Sequence, residues 1–159
     1  MKVLQFAYDT YDEFGGNDYL PHNYDRNCVV YTGTHDNATV AGWFEELGEE
    51  YKMLVRNYLA DQETPDEDIH WSMIALALRS VADTCIIPVQ DYLGYDNSAR
   101  INVPGTAEGN WKWRLEPGAL TDELSEKVLA MAKRYGRANR DALENWKAEE
   151  AEEPEETEE

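Results

Sequence analysis

The densest run of residues that could do chemistry is Tyr31, Thr32, Gly33, Thr34, His35, Asp36 and Asn37. An apolar stretch ends there in small, flexible residues and then presents an imidazole beside a carboxylate. At the C-terminal end of a strand in an α/β protein, such a pair faces the ligand site, where it could move protons, hold a polar substrate or stabilise charge. Two plainer readings use the same residues. Asp36 could cap a helix, since helical spacing begins near Val40. Alternatively His22, His35, His70 and Asp36 could ligate a metal for hydrolytic chemistry. No H-x-x-x-H or C-x-x-C spacing supports a metal cage, so no metal is expected.

Other candidates lie further along. Asn102, next to Pro104 and Gly105, could hydrogen-bond a sugar hydroxyl or merely fix a turn. Trp111 and Trp113 could stack on sugar rings or pack under a loop. Neither a phosphate-cradling glycine loop nor a G-x-S-x-G nucleophile turn is present, and no cofactor is expected.

Three strand-like runs must position these residues: 3–7, 28–32 and 84–89. Each is β-branched or aromatic and nearly continuous in apolar character, as strands covered on both faces of a parallel sheet read. Helical spacing fills the intervals. Residues 40–59 place Trp43, Phe44, Leu47, Tyr51, Leu54, Val55 and Tyr58 three and four apart, which predicts one helix. A second is predicted over 66–80, a polar stretch around His70 followed by Met73, Ile74, Leu76 and Ala77. A third begins after Thr121 as N-cap, with Leu124, Val128, Met131 and Tyr135 on one stripe. This alternation predicts an α/β fold. The polar loops 9–27 and 97–116 follow strand ends, where α/β proteins place their ligand sites.

Composition narrows the function classes. The formal charge is −19, and the 14 basic residues are scattered, so nucleic acid is not an expected partner. No apolar run is long enough to span a membrane, and no basic-then-apolar leader opens the chain. The expected compartment is the cytoplasm, with Cys28 and Cys85 as buried free thiols. The last twelve residues hold eight glutamates and no basic residue, and residues 148–159 are expected to be a disordered acidic tail.

Read together, six segments in order carry a family resemblance: Met1 to Ala7, Leu20 to Tyr24, Val30 to Asn37, Pro88 to Gly94, Pro104 to Thr106, and Gly109 to Arg114. The set resembles the C-terminal part of the amylomaltase-type 4-alpha-glucanotransferases. The resemblance implies a (β/α)8 barrel of which residues 1–147 supply about the last three β/α units. It implies transfer of α-1,4-glucan segments to the 4-hydroxyl of an acceptor glucose or glucan, with retention through a covalent glycosyl-enzyme. Asp36 then matches the family's transition-state stabiliser and His35 its sugar-binding neighbour. Phe6, Asn102 and, less closely, Asp9 match substrate contacts.

The family's nucleophilic Asp and acid/base Glu lie upstream of the segment that resembles Met1 onward. The rest of the barrel is therefore expected N-terminal to Met1, and the chain alone is expected to be inactive. Three positions depart from the family pattern: Ala38 where a second acidic residue is usual, and Ile101 and Val103 around Asn102. A non-catalytic remnant that binds glucan or a partner protein is the alternative expectation.

Overall fold

The computed structural model describes residues 1–144 and 146, so the acidic segment 148–159 lies outside the described residues. Three short strands form one parallel sheet: β1 (Lys2–Val3), β2 (Val29–Tyr31) and β3 (Thr84–Ile86), in that order. Lys2 pairs with Val30 and Val3 with Tyr31, while Val30 pairs with Cys85 and Tyr31 with Ile86. The helices that cross between strands are α1 (Val40–Glu46), α2 (Glu49–Leu59) and α3 (Ile69–Arg79). After β3 come a single turn, α4 (Val89–Tyr92), and the amphipathic α5 (Asp122–Arg134).

The expected strands are present and parallel but shorter than their apolar runs. Leu4–Phe6 turns into a 3-10 helix, which buries Leu4 and Gln5 and swings Phe6 out to solvent. β3 is not covered on both faces: Thr84 and Ile86 are exposed, and only Cys85 turns toward the packed side. The single helix expected over 40–59 is two. The backbone is extended at Leu47 and Gly48, and Glu49 and Glu50 open α2, where carboxylates suit a helix N-terminus. Leu47 still packs on the core, so its spacing concealed the break.

The main core lies between the sheet and α1 to α3. Leu4, Val30, Val40, Phe44, Val55, Ile69 and Met73 are fully buried there, and Cys28 packs against them half-buried. A smaller cluster of Ile74, Leu78 and Met131 seats α5 on α3, with Lys127 Nζ 3.5 Å from the centre of the Trp71 ring. Both cysteines are free and half-buried rather than fully buried, and burial pushes the Cys85 thiol up to about 11. Arg137 caps the end of α3 with three charge-assisted bonds, to the carbonyls of Leu78, Ser80 and Ala82 at 2.8 to 2.9 Å. As predicted, Thr121 caps α5, accepting from the Leu124 amide at 3.2 Å. No described helix is long and apolar enough to cross a membrane.

Candidate active site

Strand β2 ends at Tyr31, and residues 32–39 carry the chain to α1. Thr39, not Asp36, caps that helix: its hydroxyl accepts from the Gly42 amide at 3.1 Å. The loop is folded on itself by Asn37, whose Oδ1 accepts from the Thr34 amide at 3.0 Å and the Thr34 hydroxyl at 2.8 Å. With Asn37 and Thr39 doing this local work, Asp36 is left free of any capping duty and its side chain is half exposed.

The other half of the site comes from the loop after α4. Asn102 Nδ2 donates to Asp36 Oδ1 at 2.7 Å, and the Asn102 amide donates to the His35 carbonyl at 3.1 Å. His35 Nε2 stands 3.4 Å from the same Oδ1. Asp36, His35 and Asn102 therefore form one cluster, although Asn102 is more than sixty residues from the pair. Among the described residues only Oδ1 of Asp36 is engaged, and no lysine or arginine side chain pairs with the carboxylate. The carboxylate is oriented by an amide dipole and an imidazole, while the Arg100 guanidinium bonds the Asp36 main-chain carbonyl instead.

Arg100 holds this arrangement through the main chain. Its guanidinium donates to the Asp36 carbonyl at 2.7 Å and to the Asn102 carbonyl at 2.9 Å, so one rigid fork spans both halves. Trp111 lies tilted over His35 with ring centres 5.0 Å apart. Its backbone is left-handed, φ +63°, and its amide donates to the Ile101 carbonyl at 2.7 Å. A left-handed tryptophan is strained, and such strain persists where the surroundings hold it. Trp111 packs on His35, as one of its two readings expects, and remains 57% exposed.

Phe6 and Asp9 sit apart, on the loop after β1. Phe6 meets Tyr19 edge-on at 5.6 Å and is 52% exposed. Asp9 Oδ1 accepts from the Tyr11 amide at 2.9 Å. Both line a concavity of about 550 Å³ with Tyr11, Asp12, Asn17 and Tyr19. The loop is linked to the first cluster by Gln5, whose amide donates to the Ala38 carbonyl at 2.9 Å. Gly33 makes room for that link, because a Cβ there would stand 2.8 Å from Gln5 Nε2.

The metal reading fails on placement. His22 is occupied with the Tyr58 hydroxyl at 3.0 Å and the Gly15 carbonyl at 2.8 Å. His70, expected on a polar stretch, is instead buried in α3, with Nδ1 on the Glu67 carbonyl at 3.0 Å and its ring against Gly94. Burial pushes the His70 pKa down and favours the neutral ring. Among the described residues no group of three or more His, Cys, Asp or Glu side chains could hold an ion. Sequence reasoning missed Arg100 altogether, and read Asp91 only as part of a motif. The signal available for Arg100 was its position two residues before Asn102.

Comparison with known proteins bears directly on this arrangement. A family model described as 4-alpha-glucanotransferase matches residues 1–121. The 4-alpha-glucanotransferase of Synechocystis is 51% identical over 138 residues, covering 86% of this chain and 26% of that enzyme. The enzyme of the same name from Clostridium butyricum is 46% identical over 142 residues, covering 86% of this chain and 27% of its own length. Among solved structures, the amylomaltase from Streptococcus agalactiae in complex with acarbose superposes with a TM-score of 0.78 at 34% identity. That match covers 87% of this chain and 27% of the amylomaltase. The chain thus spans about a quarter of the length of the relatives it matches. It belongs to the 4-alpha-glucanotransferase family and corresponds to one part of that enzyme.

Proposed function

We propose that residues 1–147 form the closing part of a (β/α)8 catalytic domain that transfers α-1,4-glucan segments in the cytoplasm by a retaining double displacement. In this reading Asp36 is the transition-state stabiliser, and His35, Asn102, Phe6 and Asp9 contact the glucan. The nucleophilic Asp and the acid/base Glu are contributed by a part of the barrel outside these 159 residues, without which this segment is inactive.

The observation that carries the reading is the state of the Asp36 carboxylate. It is fixed by Asn102 and His35 but not neutralised by a lysine or arginine among the described residues. Glycosyl transfer passes through an oxocarbenium-like state that gains positive charge at the sugar ring. A held carboxylate with no cation bonded to it attracts that charge more than it attracts the neutral ground state, which is the condition for lowering a barrier. The His35 imidazole offers one hydrogen bond to a sugar hydroxyl, and the exposed faces of Trp111 and Phe6 suit the apolar faces of glucose rings.

The test is Asp36→Asn in the full-length protein that carries these residues, assayed for redistribution of maltotriose into longer and shorter maltodextrins. Transfer should disappear while maltodextrin binding persists. Near-normal turnover by the variant would remove Asp36 from the mechanism.

A further inference from the structure

We propose that Asp91 is a positioning residue for the loop that bears His35 and Asp36, gripping the chain on both sides of that loop with its two carboxylate oxygens. The proposal rests on the role given to Asp36 above.

Thr32 Oγ1 donates to Asp91 Oδ2 at 2.5 Å, and the Val40 amide donates to Asp91 Oδ1 at 2.8 Å. Thr32 is the first residue after β2 and Val40 the first residue of α1. Residues 33–39 are thus a short span whose two ends are pinned to one rigid group. All three partners are buried, Asp91 and Thr32 to 1% and 0% exposure. A hydrogen bond in such low-dielectric surroundings is strong, and the two oxygens of one carboxyl group keep a fixed separation.

A small pocket of about 30 Å³, bordered by Gly33, His35, Asn37, Gln90 and Asp91, lies between this loop and the turn that carries Asp91. That is room for about one water molecule. The neighbouring residue extends the same control to the other half of the site. Gln90 Nε2 donates to the Ala99 carbonyl at 3.3 Å, next to the Arg100 that forks to Asp36 and Asn102. One turn of helix after β3 therefore hangs both loops of the cluster. Burial raises the pKa of Asp91, and the bonds from Thr32 and Val40 oppose that rise.

The experiment compares Asp91→Ala and Asp91→Asn in the full-length protein, with maltotriose as substrate. Asp91→Ala should lower kcat on the order of 100-fold with KM within about threefold, because a displacement of 1 Å at the reacting centre has that effect. Asp91→Asn keeps an acceptor for the Val40 amide and should retain activity to within about tenfold. A lowered melting temperature with unchanged kcat in the folded Asp91→Ala protein would overturn the proposal.

If Asp91→Ala does not fold, Thr32→Val decides, since it removes one arm and keeps the shape. A several-fold loss of kcat supports the grip, and full kcat overturns it. Hydrogen exchange of a peptide covering residues 32–41 separates this idea from the assignment of Asp36. Should the unaltered protein transfer no glucan, the proposed function fails, yet selectively faster exchange in Asp91→Ala would still establish the grip. Unchanged exchange would dismiss it.

Discussion

The loops that follow β1 and β2 leave the same end of one parallel sheet and are held in opposite ways. The loop after β2 is fastened to distant chain: Asp91, Asn102, Arg100 and Asn97 all reach it from more than fifty residues away. The loop after β1 is fastened mostly to itself. Asp12 accepts from the Gly16 and Asn17 amides at 2.8 Å, and Asn17 accepts from the Tyr19 amide and donates to the Phe6 carbonyl. Its ties to distant chain are fewer and come from Gln5 to the Ala38 carbonyl, Tyr8 to Met73 Sδ at 3.4 Å and His22 to the Tyr58 hydroxyl, and Tyr11 and Phe14 are almost wholly exposed. If Asp36 acts as proposed, its charge is placed by the whole fold, whereas the proposed substrate contacts Phe6 and Asp9 ride on a more locally folded loop.

This contrast is open to attack at each level. The largest effect is expected at Asp36: Asp36→Asn in the full-length protein should cut glucan transfer on the order of 10³-fold, as loss of a key electrostatic stabiliser does. Stopped assays with maltotriose measure this, and a loss under tenfold would put the β2 loop on a par with its neighbour. Next comes Asn102→Ala, which removes the bond to Asp36 Oδ1 and should cost about 1.5–3 kcal/mol of barrier, roughly 10- to 100-fold in kcat.

Separating the loops is the third test. Gln5→Ala deletes the link to the Ala38 carbonyl and should destabilise the protein by about 1 kcal/mol. Urea unfolding reads that change, and Phe6→Ala alongside it should raise KM severalfold and leave kcat nearly intact. A large kcat effect from Phe6→Ala would mean the two loops act as one.

The smallest expected effect is a pH dependence in the β1 loop. Backbone amides of Asn17 and Gly16 hold the Asp12 carboxyl below its usual range. A depressed folded pKa contributes order above the ordinary carboxylate range and loses it as pH falls through the lowered value. Exchange at the Gly16 and Asn17 amides should therefore accelerate below about pH 4 in excess of the intrinsic trend.

Much of this contrast could be read in advance from residue types, and the unread part has a common cause. Parallel strands announced themselves through β-branched runs, and His35, Asp36 and Asn102 through their placement in loops after strands. The break at Leu47 and Gly48 was concealed because Leu47 keeps the helical spacing while its backbone is extended. Phe6 was expected to contact substrate only on the family resemblance, and nothing in an apolar run signals the 3-10 turn that exposes it. Arg100 and Asp91 act on backbone groups, and a carbonyl or amide leaves no mark in residue type. Buried histidine was misjudged for a similar reason. His70 follows Asp66, Glu67 and Asp68, and their polarity masked a ring turned into the core.

The sheet order has a consequence in time as well as in space. Val30 must find Lys2 across 28 residues and Cys85 across 55, and the bond from Thr32 to Asp91 lies just beyond the second of these pairings. Closures of that length are slow compared with the local formation of α2 and α3, which takes about a microsecond. During refolding the helices should gain protection first, the sheet next, and the Asp36 loop last. A chain interrupted late in that sequence would carry nearly all of its native helix and none of its chemistry.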